Sequence, residues 1–182
     1  MATEILTKIG APIVWADTTD YSSTGSGYTR TDQLALATLA TGAAREGTKG
    51  DVGATRAAKF AVHVGFELDV APTAGNVIEV YWSSSASATA GTGNAGGAAG
   101  ADGAYKAGEE AEWVKQLTFL GALVCTADAA TVVQRQCIND AFVPPQRYGM
   151  PVVYNRSGQA LEGDDVEMYV ALVPIIDELQ NA

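Results

Sequence analysis

Apolar and polar residues alternate with a period of two along much of this chain, the pattern of strands that bury one face. In Lys59–Asp69, Phe60, Val62, Val64, Phe66 and Leu68 share one face, and Ala61, His63, Gly65 and Glu67 share the other. Pro72 and Gly75 predict a turn. Asn76–Trp82 then sets Ile78, Val80 and Trp82 on one side, so the two segments are expected to form a hairpin. Further strands are expected at Ile13–Trp15, Trp113–Cys125, Thr131–Asn139, Gly149–Tyr154 and Val166–Val173, with Pro174 ending the last. Over Gln33–Ala44 two readings stay open. Its Ala and Leu content favours a helix, whereas the alternation of residues 34–39 favours a strand over Leu36–Thr41. Seven or eight strands with Gly- and Pro-rich turns predict an all-β fold. An antiparallel β-sandwich is expected, with a jelly roll among the arrangements that fit.

One stretch breaks the pattern. Residues 83–108 are nearly all Ser, Ala, Thr and Gly, and such a composition builds no core of its own. The chain is expected to be a single domain over residues 1–182 with this low-complexity insertion. The insertion reads either as a surface loop or as an arm that orders against a neighbouring subunit.

Composition narrows the partners. The 21 acidic residues outnumber the 11 basic ones, for a formal charge of -10, and this surface repels nucleic-acid phosphates and anionic membranes. The densest basic stretch, Arg30, Arg45, Lys49, Arg56 and Lys59, is interrupted by Glu46 and Asp51. The N-terminal residues have no apolar run of signal-peptide type, and nowhere is the chain apolar for long enough to span a membrane, so cytoplasmic synthesis is expected. Cys125 and Cys137 sit in apolar runs as small hydrophobes, with a bridge across a hairpin also open.

Candidate chemistry is sparse. His63 is the single histidine and reads as a half-exposed structural residue. Ser83–Ser87 carries no nucleophile elbow, and neither a phosphate-binding loop nor a dinucleotide fingerprint occurs. The groups Asp17/Asp20, Glu109/Glu110/Glu112 and Asp164/Asp165/Glu167 lack the spacing of a calcium loop and read as solvated carboxylates. The expectation is no enzyme, no cofactor and no metal. Aromatic residues at turns suit interfaces or stacking on a sugar ring.

The second half carries a resemblance. Gly91-Thr92-Gly93-Asn94, Gly100-Ala101-Asp102-Gly103, Lys115–Phe119, Val133–Gln136, Ala141–Gly149 and Leu172–Glu178 together resemble small structural proteins of tailed bacteriophages, of capsid-decoration or minor-capsid type. The resemblance lies mainly in residues 94–178. It implies a virion subunit without catalytic residues, assembled in the bacterial cytoplasm beside other virion proteins. A homo-oligomer, trimer or ring, is expected. Interface candidates are Trp113, Phe142, Arg147 and Tyr148 beyond the rigid Pro144-Pro145, and Ile175 and Ile176 after the last strand. The alternative is a carbohydrate- or receptor-binding β-sandwich of the tail or neck, with a glycan as partner.

Overall fold

A strand with one apolar face needs a second apolar face to cover it, and this chain supplies two sheets that cover each other. The computed structural model describes residues 3–53, 57, 59–128 and 132–181, with backbone alone for residues 3–8 and 177–181. Its strands are β1 (Thr3–Ile9), β2 (Ile13–Ala16), β3 (Asp32–Gln33), β4 (Ala44–Glu46), β5 (Gly50–Asp51) and β6 (Lys59–Phe66). They continue with β7 (Val77–Ser85), β8 (Gly103–Ala104), β9 (Thr118–Val124), β10 (Gln134–Phe142), β11 (Tyr148–Arg156) and β12 (Tyr169–Asn181). Two single-turn helices, α1 (Ser23–Ser26) and α2 (Glu110–Trp113), lie between them. The first sheet runs β10-β6-β12-β2-β3 with β1 added to β12, and the second runs β8-β4-β11-β7-β9 with β5 added to β11. All pairs are antiparallel except β2 with β3. The fold is all-β and sandwich-like, and it does not close into a barrel.

The shared core follows from the alternation. Phe60, Val62, Val64 and Phe66 of β6 and Val170 and Leu172 of β12 meet Ile78, Val80 and Trp82 of β7 and Val153 of β11. Each such side chain contributes about 1.5–3 kcal/mol by leaving water. Trp15 and Trp82 touch edge to face across the sandwich, with ring centroids 5.5 Å apart at 83°. The outward faces are covered too. Met150, Val152 and Tyr154 of β11 lie under Ala98, Tyr105, Val114 and Leu117. Val14, Ala16, Tyr169 and Ala171 lie under Tyr21 and Tyr28.

Four expectations need correction. β6 and β7 are not a hairpin: β6 pairs with β10 and β12, whereas β7 pairs with β9 and β11 in the facing sheet. Alternation says which residues turn inward, not which sheet they belong to. The strand expected from Trp113 begins only at Thr118, because Glu110–Gln116 winds into α2 and a 3-10 turn. Over Gln33–Ala44 neither the helix nor the strand forms. Leu34 and Leu36 are fully buried from an irregular segment, and the Leu36 N–H donates to both carboxylate oxygens of Asp165 at 3.0 Å.

Pro174, the fourth, does not end its strand. A residue's nitrogen and carbonyl point to the same side of a strand, and the Pro174 carbonyl accepts from the Gly10 N–H at 2.9 Å, in the break between β1 and β2. The missing N–H therefore falls where no ladder bond is required. β12 runs on to Asn181, paired with β1 from Ile9↔Ile175 to Thr3↔Asn181. Cys125 is buried and Cys137 exposed, both as free thiols. Thr131 of the expected Thr131–Asn139 strand lies outside the described residues.

The tryptophans fit because glycine faces them. A Cβ on Gly149 would stand 2.4 Å from the Trp82 ring, whereas one on Gly163 would meet nothing within 4 Å. Gly149→Ala is expected to lower unfolding free energy by about 1–3 kcal/mol in urea titration, and Gly163→Ala to leave the midpoint in place.

Candidate interaction surface

Of the six sequence-predicted residues one, Ile176, lines a cleft, and Arg147 and Tyr148 reach its wall through Asp51. Pro174 and Ile176 of β12 line it together with Gly10, Ile13, Asp51 and Phe60, enclosing 320 Å³. Tyr148 opens β11 opposite Asp51 of β5. That register lets the Arg147 guanidinium grip Asp51 with Nη2–Oδ2 at 2.7 Å and Nε–Oδ1 at 3.0 Å, a bidentate charge-assisted pair. Arg147 also lies 5.1 Å from the centroid of the Tyr148 ring. Apolar side chains are exposed at this end of the chain path: Ile9 at 72% and Ile176 at 39%, with Ile175 half-buried beside them.

Phe142 and Trp113 lie elsewhere. Phe142 is not a surface residue. Register shifts on either side of Asn139 turn it inward, and it packs 5.6 Å from Trp82 in the core. Trp113 sits half-buried against the outer cluster of the second sheet. Its Nε1 donates to Glu109 at 2.9 Å, and the Lys106 ammonium stands 4.3 Å over its ring.

A second groove escaped the sequence reading. Glu79, Tyr81, Tyr154, Arg156 and Lys115 line a 290 Å³ depression. Phe119, 55% exposed, stands 5.3 Å from Tyr81. Glu79 accepts from the Tyr81 hydroxyl at 2.9 Å and from Arg156 at 3.0 Å. Burial first, and then the bond to Glu79, pushes the Tyr81 hydroxyl up, so it stays protonated as a donor. The only sequence signal was Glu79 among the apolar residues of β7, since the groove itself depends on cross-strand partners.

His63 is half-buried with its ring edge on Tyr28 at 6.1 Å, and burial lowers its pKa. Burial raises the Cys125 thiol. Among the described residues no three His, Cys, Asp or Glu side chains are grouped to hold a metal.

Several buried carboxylates instead organise loops. Glu46, 3% exposed, accepts from the Ala99 and Gly100 N–H groups at 2.8 and 3.3 Å. Desolvation raises its pKa against those bonds. Glu67, placed on the less buried face by alternation, is in fact 8% exposed, and burial followed by nearby Asp164, Glu162 and Glu167 raises it. Asp102 takes a bidentate pair from Arg45 at 3.0 and 2.7 Å and accepts from the Ala35 N–H at 3.1 Å. Desolvation pushes Asp165 up to about 6, only partly offset by its backbone donors and by Arg45.

Protein-family models, curated proteins and solved structures contain no match to this chain.

Three outcomes follow from these charges. Because the folded Asp165 holds its proton up to about 6 and the unfolded one only to 3.8, its contribution is full below 3.8 and lost as pH rises through 6. Asp165→Asn is therefore expected to gain on the wild type by up to ~3 kcal/mol between pH 4 and 7 in unfolding titrations. Arg45→Ala, which strands the partly buried Asp102, is expected to cost about 1–3 kcal/mol. Arg147→Ala, at an open surface, is expected to leave the urea midpoint unchanged.

Proposed function

We propose that this chain is a non-enzymatic structural subunit of a tailed-bacteriophage virion, built as a jelly roll and working through its interfaces. The strand pairing carries the reading. Set aside the terminal β1 and the two-residue β3, β5 and β8, and eight strands remain. In chain order the first pairs with the last (β2 with β12), the second with the seventh (β4 with β11), the third with the sixth (β6 with β10) and the fourth with the fifth (β7 with β9). Nested pairing of this kind is what a long antiparallel hairpin gives when it is rolled into two facing sheets. Jelly rolls serve as viral capsid and lectin domains.

The acidic surface fits a subunit that meets other proteins and not the packaged nucleic acid. A decoration or minor capsid role, as a trimer or ring of copies beside other virion proteins, is the assignment that the resemblance in residues 94–178 favours. Such a subunit assembles in the host cytoplasm and resides in the particle. The cleft bordered by Asp51, Pro174 and Ile176, with Arg147 paired to Asp51 and Tyr148 opposite it in register, is the contact surface this reading assigns.

A second reading, a carbohydrate- or receptor-binding sandwich of the tail or neck, is favoured by one observation. The Glu79–Tyr81–Arg156 groove with exposed Phe119 offers a ring face beside charged hydrogen-bonding groups.

Immunogold labelling of particles purified from a culture producing this protein separates the two. Regular label over the head is the expected result, and label on the tail or neck would favour the second reading. Absence of the protein from denatured particles would sink both virion roles. On a glycan array the wild type is expected to be silent; signal that Phe119→Ala abolishes would establish the sugar-binding alternative.

A further inference from the structure

Lys49, between β4 and β5, sends its side chain under the loop that follows β7. Its ammonium meets four oxygens: Ser85 Oγ at 2.9 Å, the Ser87 carbonyl at 3.0 Å, the Thr89 carbonyl at 2.6 Å and the Thr92 carbonyl at 2.9 Å. Every one of these is a neutral oxygen. An ammonium has three hydrogens, so the loop offers more acceptors than one lysine needs. Carbonyl dipoles aimed at a single point repel one another unless a cation sits between them, and rings of such oxygens are how proteins replace the hydration shell of a monovalent ion. Divalent calcium and magnesium sites draw on carboxylates, and none of the four ligands here is one.

The cage is built, not incidental. Ser85 is fully buried, accepts from the Ser87 N–H at 3.2 Å and donates its own hydrogen to Thr92 or Ser87, so a lone pair is left for the ammonium. A bridge between Ser85 and Asn94 closes the loop. Asn94 Nδ2 then ties the Ala90 and Ala98 carbonyls at 2.7 Å each. Lys49 itself is pinned from behind, its N–H donating to the Gly100 carbonyl at 3.1 Å.

We propose that the Ser85–Thr92 loop is a monovalent-cation site that the chain fills with its own Lys49 ammonium, and that it takes up a free ammonium or potassium ion when that side chain is shortened. The proposal is independent of where the protein acts.

Lys49→Ala tests it by thermal unfolding in ammonium, potassium and tetramethylammonium chloride at equal ionic strength. The expected Tm is higher in ammonium or potassium than in tetramethylammonium, which is too large for the cage, by about 2–4 °C, with no such difference for the wild type. Equal Tm values in all three salts, or the same spread in the wild type, would overturn the proposal. Should the variant not fold, acetylation of the wild type followed by mass spectrometry decides. Lys49 is expected to react at least about tenfold more slowly than Lys115, since the cage must open first. Lys115 is an internal standard with 66% of its side chain exposed. Equal rates would mean that no cage holds the ammonium.

Discussion

The contact between Trp15 and Trp82 organises the rest of the sandwich. One indole comes from each sheet, and their edge-to-face meeting at 5.5 Å sets the local separation of the layers. Residues of this volume need room on the neighbouring strands, and glycine provides it. Gly47 and Gly50 face Trp15, and Gly149 faces Trp82, so closely that a Cβ at each would stand within 2.9 Å of a ring atom. Trp15 Nε1 donates to the Thr48 carbonyl at 2.8 Å, whereas Trp82 Nε1 is buried with no acceptor among the described residues. Trp82 therefore acts through volume and ring edge, against an unmet donor that costs about 1–3 kcal/mol. Phe142 also meets Trp82 edge to face, with ring centroids 5.6 Å apart.

A sandwich that is not closed must manage its edges. Here β9 and β10, the end strands of opposite sheets, are joined by side chains in place of a ladder. Gln136 accepts from the Val124 N–H, Gln134 exchanges bonds with Thr126, and Asn139 donates to the Leu120 carbonyl. Gly121 lets Ile138 come close enough for this, since a Cβ there would lie 2.4 Å from the Ile138 carbonyl oxygen. On the opposite side Thr48 does similar work, with its hydroxyl accepting from the Gln33 N–H and its own N–H donating to the Gln33 carbonyl. Amides and hydroxyls thus take up edge groups that another chain would otherwise pair with.

This division of labour explains what could be read from the sequence. The inward faces of β6, β7 and β12 were legible, because burial imposes the alternation directly. The partnership of β6 and β7 was not, since two strands that face each other across a core carry the same pattern as two that pair. The Leu34–Leu36 segment was illegible for a different reason: its Ala35 and Leu36 N–H groups are satisfied by Asp102 and Asp165, more than sixty residues away, and no local propensity reports that. At the surface, Arg147 and Tyr148 were picked out beyond a rigid diproline and Ile176 as an apolar residue after the last strand, but that β12 itself runs on through Ile176 was not legible. The Glu79 groove was not, because it exists only through the registers Tyr154↔Glu79 and Arg156↔Val77.

Residues 83–108 show where structural information sits when the segment itself is nearly featureless. Their composition denies them an apolar core, yet in this chain they fold against β4 and β11. The fastening comes from outside. Arg45 holds Asp102, Glu46 takes two N–H groups, and Lys49 gathers three carbonyls. All three anchors lie within five residues of one another in and after β4, a stretch whose mixed charge argued only against phosphate binding when read by composition. Most of these contacts end on loop backbone, the side chains of Ser85 and Asp102 being the exceptions. The loop's own side chains add to this hold, Ser83 Oγ donating to the Ala95 carbonyl at 2.7 Å, Ser87 Oγ accepting from the Thr89 N–H at 3.1 Å and the Tyr105 hydroxyl donating to the Gly96 carbonyl at 2.8 Å.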